Sequence, residues 1–320
     1  MRIVVLGAGA MGSLVAARLA LADVDVTILS RPSPHLAAIR DDGLTLETLD
    51  GAERVVRLRV SEQAATVHSA EVVIVLVKTW ATVTAVAPLR PHLTPRTMVL
   101  TLQNGLGNRA AIDQALGGDL AVDRVAGVTA QGALRPRPGL VRETGVGATM
   151  IGRADGRIDS ALERVAAVFT TAGMETRAVT DIDYWIWRKL SINAAINGLT
   201  ALAGVSNGAI VTDPGLREAA TILANEVAVV ADAKGFRLGD VPSAVAEVAH
   251  ATATNRSSML HDLETGNRTE VDAIHGAVVA VARSVGVAVP ANQVVAALIR
   301  ARERIEVRLS PRADAHEGAR

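Results

Sequence analysis

Lys189, Asn193 and Asn197 are spaced by four in a stretch that is otherwise apolar (Leu190, Ile192, Ala194, Ala195, Ile196). On an α-helix that spacing places all three on one stripe. Asparagine is a poor helix-interior residue because its side chain competes for backbone hydrogen bonds, so two of them in one apolar helix call for a reason. A ligand with a carbonyl plus a hydroxyl or carboxylate group would supply one. A solvated face, or Asn197 ending the helix before Gly198, is the plainer alternative. Lysine can be tuned by its surroundings to release a proton near neutral pH, whereas arginine cannot. That difference is pointed here: of 33 Lys plus Arg, only Lys78, Lys189 and Lys234 are lysine. Lys78 closes the apolar run 72–77, at the strand end where open α/β sheets bind ligands. Lys234, near a helix end, reads as structural.

A second constellation is GAGAMG at 7–12, with Gly7, Gly9 and Gly12 in G-x-G-x-x-G spacing around Ala8, Ala10 and Met11. Gly7 permits a tight turn, Gly9 lets backbone amides approach a pyrophosphate, and Gly12 lets the following helix pack close to the sheet. The phosphates then meet a helix N-terminus, whose free N–H groups and dipole favour anions. The stretch also has the basic, apolar and small-residue order of a secretory signal, but a signal has no use for this glycine spacing. NAD-binding sheets place Asp or Glu at the end of the second strand, on the ribose 2′-hydroxyl. This chain has Leu29-Ser30-Arg31 there. The acid is missing and a guanidinium that can fork onto a 2′-phosphate stands in its place, which points to NADP(H). A third polar cluster, Asn255 to Leu260 followed by Arg268-Thr269-Glu270, has a plain reading as helix caps and a first-turn acid.

These residues need elements to position them. The first half alternates strands and helices: a strand at 2–6, a helix to about Leu21, strands at 24–29, 72–77 and 97–102. A hairpin around Asp50-Gly51 joins 44–48 to 53–59, and short strands fall between 124 and 152. A helix at 160–172 and a strand at 174–177 follow. From there the pattern is helical: 184–203, a helix opened by Asp213-Pro214 and stopped by Gly235, then 242–253, 270–285 and 290–303. The expected fold is α/β, an N-terminal Rossmann-type dinucleotide-binding domain over 1–179 and an all-helical domain over 180–309, with a frayed tail at 310–320. Composition narrows the function. With 49% hydrophobic residues in 320, there is ample material for two cores. Zero net charge and 2% aromatics weigh against nucleic-acid binding, and the absence of Cys excludes thiol chemistry and Cys-ligated metals. The seven His show no metal-ligand spacing, no apolar run reaches spanning length without Gly or charge, and a cytoplasmic protein is expected.

In order along the chain, GAGAMG at 7–12, Lys78, Gln103-Asn104-Gly105, Trp187-Arg188-Lys189-Leu190 with the two following Asn, Asn207-Gly208, N-x-S-S-M-L at 255–260 and T-E-V-D at 269–272 resemble the ketopantoate reductase (2-dehydropantoate 2-reductase) family. The match runs from residue 1 to about 304. The resemblance implies NADPH-dependent reduction of a branched 2-oxo acid at its ketone, in pantothenate biosynthesis. It implies Lys189 as general acid. Asn193, Asn197, Asn207, Asn255 and Ser258 become substrate-binding positions, with Lys189. Arg31, Lys78, Asn104, Ala133 and Glu270 become cofactor contacts alongside residues 7–12. A homodimer is carried as an expectation. Two departures stand out: Gly198 where the family frequently has Pro, and Asp272-Ala273-Ile274-His275-Gly276 without the usual Tyr and Asn. They leave the identity of the 2-oxo acid open. A related reductase such as a D-2-hydroxy acid dehydrogenase, and a catalytically silent NADP(H)-binding redox sensor, remain as alternatives; a sensor would need the glycine loop but no proton donor.

Overall fold

A computed structural model describes residues 1–118 and 120–309. The expected tail 310–320 lies outside the described residues. The chain forms two compact units, dividing at Ile186/Trp187.

The first unit opens with β1 (Arg2–Leu6), α1 (Ala10–Leu21), β2 (Asp25–Leu29), α2 (Pro34–Asp42), β3 (Leu44–Glu47), β4 (Glu53–Val56) and β5 (Arg59–Ser61). It continues with β6 (Val72–Val75), α3 (Thr82–Val86), β7 (Met98–Thr101), α4 (Asn108–Leu116), β8 (Asp123–Thr129), β9 (Gly132–Arg137), β10 (Leu140–Gly145), β11 (Thr149–Gly152), α5 (Ser160–Thr171) and β12 (Thr176–Ala178). The main sheet has the order β12-β11-β8-β7-β6-β1-β2-β5. The six strands from β5 to β8 in that order run parallel, and β11 joins antiparallel to β8. Both faces are covered. Along β1, Ile3 and Val5 enter one core with Leu14, Ile74 and Phe169, while Val4 and Leu6 enter the other with Val73, Val86 and Val99. Burial on both faces is why the strands read as unbroken apolar runs.

A smaller sheet, β4-β3-β10-β9, lies beside it. The hairpin expected around Asp50-Gly51 forms, with Leu44 opposite Val56 and Glu47 opposite Glu53. The second arm, expected as one strand over 53–59, is divided. Residues 53–56 pair with β3, whereas 59–61 pair in parallel with β2 at the edge of the main sheet, so the chain crosses between sheets at Arg57-Leu58.

The second unit is helical. It takes most of α6 (Ile182–Ala203), then α7 (Ala209–Thr212), α8 (Pro214–Ala233), α9 (Val241–Ala251), α10 (Ser258–Glu264), a π-helical turn at Asp272–Gly276, α11 (Ala277–Val285) and α12 (Pro290–Leu309). Side-chain caps set several starts: Asp213 accepts from the Leu216 N–H, Asp240 from Ser243 and Ser257 from Leu260. Gly286, at φ 71°, ends α11. The unit boundary falls seven residues after the expected 179/180 because the first turn of α6 stays with the sheet unit. Ile182 is buried there against Gly152, where an added Cβ would come within 2.9 Å of the Ile182 Cβ. Asp183 pairs with Arg109 of α4 at 2.5 Å. The helix expected over 270–285 is not uniform, since 272–276 widen into the π turn. No helix among the described residues is long and apolar enough to cross a membrane.

Candidate functional site

In the first unit the candidate residues gather at one edge. Arg31 follows β2, residues 7–12 follow β1, Lys78 follows β6 and Asn104 follows β7. These four strands are parallel neighbours, so all four loops leave from the carboxyl ends of the strands. There the strand order reverses about β1, the crevice position where open α/β sheets take ligands. Ala133 is placed differently, on β9 of the small sheet opposite Glu143.

The glycines of the loop have different reasons to be glycine. Gly7 sits at φ 114°, and an added Cβ would lie 2.9 Å from the Leu76 backbone. At Gly12 an added Cβ would lie 2.0 Å from the Gly7 carbonyl oxygen. The fold itself excludes side chains at both. Gly9, the N-cap of α1, has ordinary extended backbone, and its Cβ would meet only the Leu76 oxygen at 4.0 Å. Nothing internal demands glycine there, so what it keeps clear is the space before the helix start. No acidic residue occupies the first turn of α1, and the leading amides of a helix have no intrahelical acceptor. This cradle, with the exposed Arg31 and no acid closing β2, fits a dinucleotide bearing a 2′-phosphate.

Two supports of this edge escape sequence reading. Gln103 donates from its side-chain amide to the Val77 carbonyl at 2.7 Å and to Thr82 Oγ1 at 2.8 Å, which ties the loop of Asn104 to the loop of Lys78. His35 of α2 is buried between α1 and the turn linking β9 to β10. Its Nδ1 accepts from the Gly139 N–H at 2.9 Å, so its Nε2 carries the hydrogen and donates to Ser13 Oγ at 2.9 Å. Burial, reinforced by the Arg135 guanidinium, pulls its pKa down to about 4, so the imidazole is neutral.

In the second unit, α6 carries Lys189, Asn193 and Asn197 as one stripe. Lys189 and Asn193 are partly buried and Asn197 is buried. The helix does not stop at Asn197; it continues through Gly198 to Ala203, so Asn197 is not a cap. Burial pulls the Lys189 ammonium down to about 8, opposed by the carboxylate of Glu270, which raises it. Glu270, expected as a cofactor contact, bears on Lys189. Asn207 and Asn255 lie together: the Asn207 N–H donates to the Asn255 carbonyl at 2.9 Å, and Asn207 Nδ2 donates to Thr252 Oγ1 at 2.9 Å. Asn207 Oδ1 is buried with no hydrogen-bond partner, an acceptor suited to a ligand hydroxyl. Of the serine pair, Ser257 is the cap of α10, buried, and it accepts from Thr200 of α6 at 2.8 Å. Ser258 is exposed on the first turn. No group of His, Asp or Glu among the described residues could hold a metal ion.

The two family departures prove to be one feature. An added Cβ at Gly198 would lie 2.4 Å from His275 Nε2 and 2.6 Å from Val295 Cγ1. The His275 ring therefore occupies the space a side chain at 198 would need. Asn292 gives its amide N–H to Glu226 at 2.8 Å, so its Oδ1 accepts from His275 Nδ1 at 2.9 Å. Burial above all holds His275 near pKa 4, neutral, with Nε2 against the backbone of α6.

Comparison with known proteins bears on both units. The family model described as "Ketopantoate reductase PanE/ApbA" matches residues 3–156, and its C-terminal counterpart matches 181–303. A 2-dehydropantoate 2-reductase of Halobacterium salinarum is 41% identical over 305 residues, 95% of this chain and 99% of that protein. The crystal structure of a PanE/ApbA family ketopantoate reductase from Ralstonia eutropha superposes with a TM-score of 0.86 at 31% identity, covering 96% of this chain and all of that one. A D-mandelate dehydrogenase with NADH and anilino(oxo)acetate superposes at 0.88 with 24% identity, over 96% of this chain, a likeness of fold alone. Matched over both units, the chain belongs to the ketopantoate reductase family of NADP-dependent oxidoreductases that act on a CH–OH group.

Proposed function

We propose that this protein reduces 2-dehydropantoate to pantoate with NADPH, and that Lys189 donates the proton. The observation that carries the reading is Lys189 itself: a partly buried ammonium, eased by burial to a pKa of about 8 and kept charged at neutral pH with help from Glu270. Such a group is loaded with a proton at pH 7 and able to part with it. NADPH supplies the hydride. Lys189 polarises the ketone oxygen while it is still protonated, then gives its proton to that oxygen as negative charge develops. Asn193 and Asn197, on the same stripe, are assigned to orienting the substrate, and the unpaired Oδ1 of Asn207 to accepting from its hydroxyl. Arg31 and the loop 7–12 are assigned to the cofactor's phosphates, with Lys78 and Asn104 from the neighbouring strand ends.

NADPH oxidation with a panel of 2-oxo acids tests the proposal, with NADH as the cofactor control. The expected result is the highest kcat/KM for 2-dehydropantoate and a clear preference for NADPH. Faster turnover of an aryl or linear 2-oxo acid would instead make it a related D-2-hydroxy acid dehydrogenase. Tight NADPH binding with no oxidation by any acid would make it a redox sensor.

A further inference from the structure

With consecutive residues, helix α12 bonds the far end of the helix that carries Lys189 and the residue just before Glu270. Arg302 donates to the carbonyl of Ala201 at 2.6 Å, in the last turn of α6, where helix carbonyls lack intrahelical donors. Glu303 Oε1 accepts from the backbone N–H of Thr269 at 2.7 Å, immediately before Glu270. Thr269 is 2% exposed, and its own hydroxyl accepts from the Val271 N–H at 3.1 Å, so the segment on both sides of Glu270 is held by hydrogen bonds. We infer that Glu303 is a positioning residue: by gripping the Thr269 N–H while its neighbour Arg302 holds the end of α6, it fixes the Glu270 carboxylate in relation to Lys189. Glu303 does not touch the reacting atoms; it acts through Glu270.

Several other charges lie along this segment. Asp272 pairs with Arg268 at 3.1 Å and with Arg300 at 2.7 Å, and Arg188 of α6 is turned to the Leu238 carbonyl at 3.2 Å. Glu270 is the carboxylate that bears on Lys189.

The inference rests on the reading of Lys189 as the proton donor only for its kinetic consequence, and the test separates the two. Because the chain has three lysines, protein grown on lysine labelled with carbon-13 at the ε position gives a small, assignable set of signals whose shifts report charge. Two variants part geometry from charge. Glu303→Asp keeps the charge and shortens the reach; Glu303→Gln loses the charge and keeps an acceptor at the same reach. If Glu303 positions Glu270, the Asp variant lowers the Lys189 titration midpoint, on the order of one pH unit as the carboxylate slackens away, and the Gln variant leaves it in place. The reverse pattern would show that Glu303 acts by its own charge, and no shift in either variant would show that it sets nothing; both overturn the inference. In the same two proteins the pH at which kcat/KM declines should follow the NMR midpoint of the free enzyme. A midpoint that moves while the kcat/KM profile stays fixed would keep Glu303 as a positioning residue and remove Lys189 from the proton transfer.

Discussion

At the scale of single residues, the proposal turns on what lysine can do that arginine cannot. Lys189→Arg keeps the charge and nearly the length in a chain that otherwise uses arginine freely. A guanidinium scarcely releases a proton, so kcat for reduction is expected to fall ~10²–10⁴-fold, the usual worth of a general acid. NADPH affinity, measured by titrating the cofactor's fluorescence, should hold nearly constant. A folded variant within about threefold of the original kcat would remove Lys189 from its role. The pH dependence follows from the same group. The donor must carry its proton, so kcat/KM, which reports the free enzyme, is expected to be level below the Lys189 pKa and to decline as pH rises through about 8. With chemistry limiting the rate, a kcat/KM that stays flat to about pH 10, the range of an unperturbed lysine, would contradict this. The candidate residues stand out in the sequence because their signal is local: a glycine spacing, a missing acid at 29–31, a stripe at every fourth position. Glu303 does not, because it reaches Thr269 across 34 residues of sequence and by type is one charged residue among many on α12. Gln103 stands in the sequence only as a neighbour of Asn104; its bonds to Val77 and Thr82 depend on how two strand ends come together.

At the scale of elements, the apolar runs announced the parallel strands, and the Asp-Pro and Gly signals announced the starts and stops of the later helices. Sequence pattern did not separate 53–56 from 59–61, because no Gly or Pro interrupts the run between Glu53 and Ser61 and only the partners, β3 and β2, differ. Nor did it show the π turn at Asp272–Gly276, which brings His275 onto α6 at Gly198. That contact predicts its own energetics. Gly198→Ala would gain roughly 1 kcal/mol of helix propensity. It would also force a methyl to within 2.4 Å of the His275 ring, and overpacking of this kind typically costs about 1–3 kcal/mol. Net destabilisation is expected from urea unfolding. In a His275→Asn background, where the smaller side chain leaves room, the same substitution should cost less or stabilise. Equal effects in the two backgrounds, measured as a double-mutant cycle, would mean that the residues are not coupled as the contact requires.

At the scale of the molecule, each unit contains a buried neutral imidazole, His35 in the first and His275 in the second, both near pKa 4 against 6.5 when unfolded. The unfolded chain therefore binds protons in a range where the folded chain does not. Stability is at its full value above about pH 6.5 and is lost as pH falls toward 4, by up to about 1.4 kcal/mol per pH unit for each imidazole. Urea midpoints that stay constant between pH 7.5 and pH 5 would refute this, and a fall is expected in the transition of either unit. The pairing of Gly198 with His275 also reaches beyond this one chain. A side chain at position 198 fits beside the imidazole only if the ring and Val295 give way, so relatives with a side chain at 198 are expected to carry a residue other than histidine at 275.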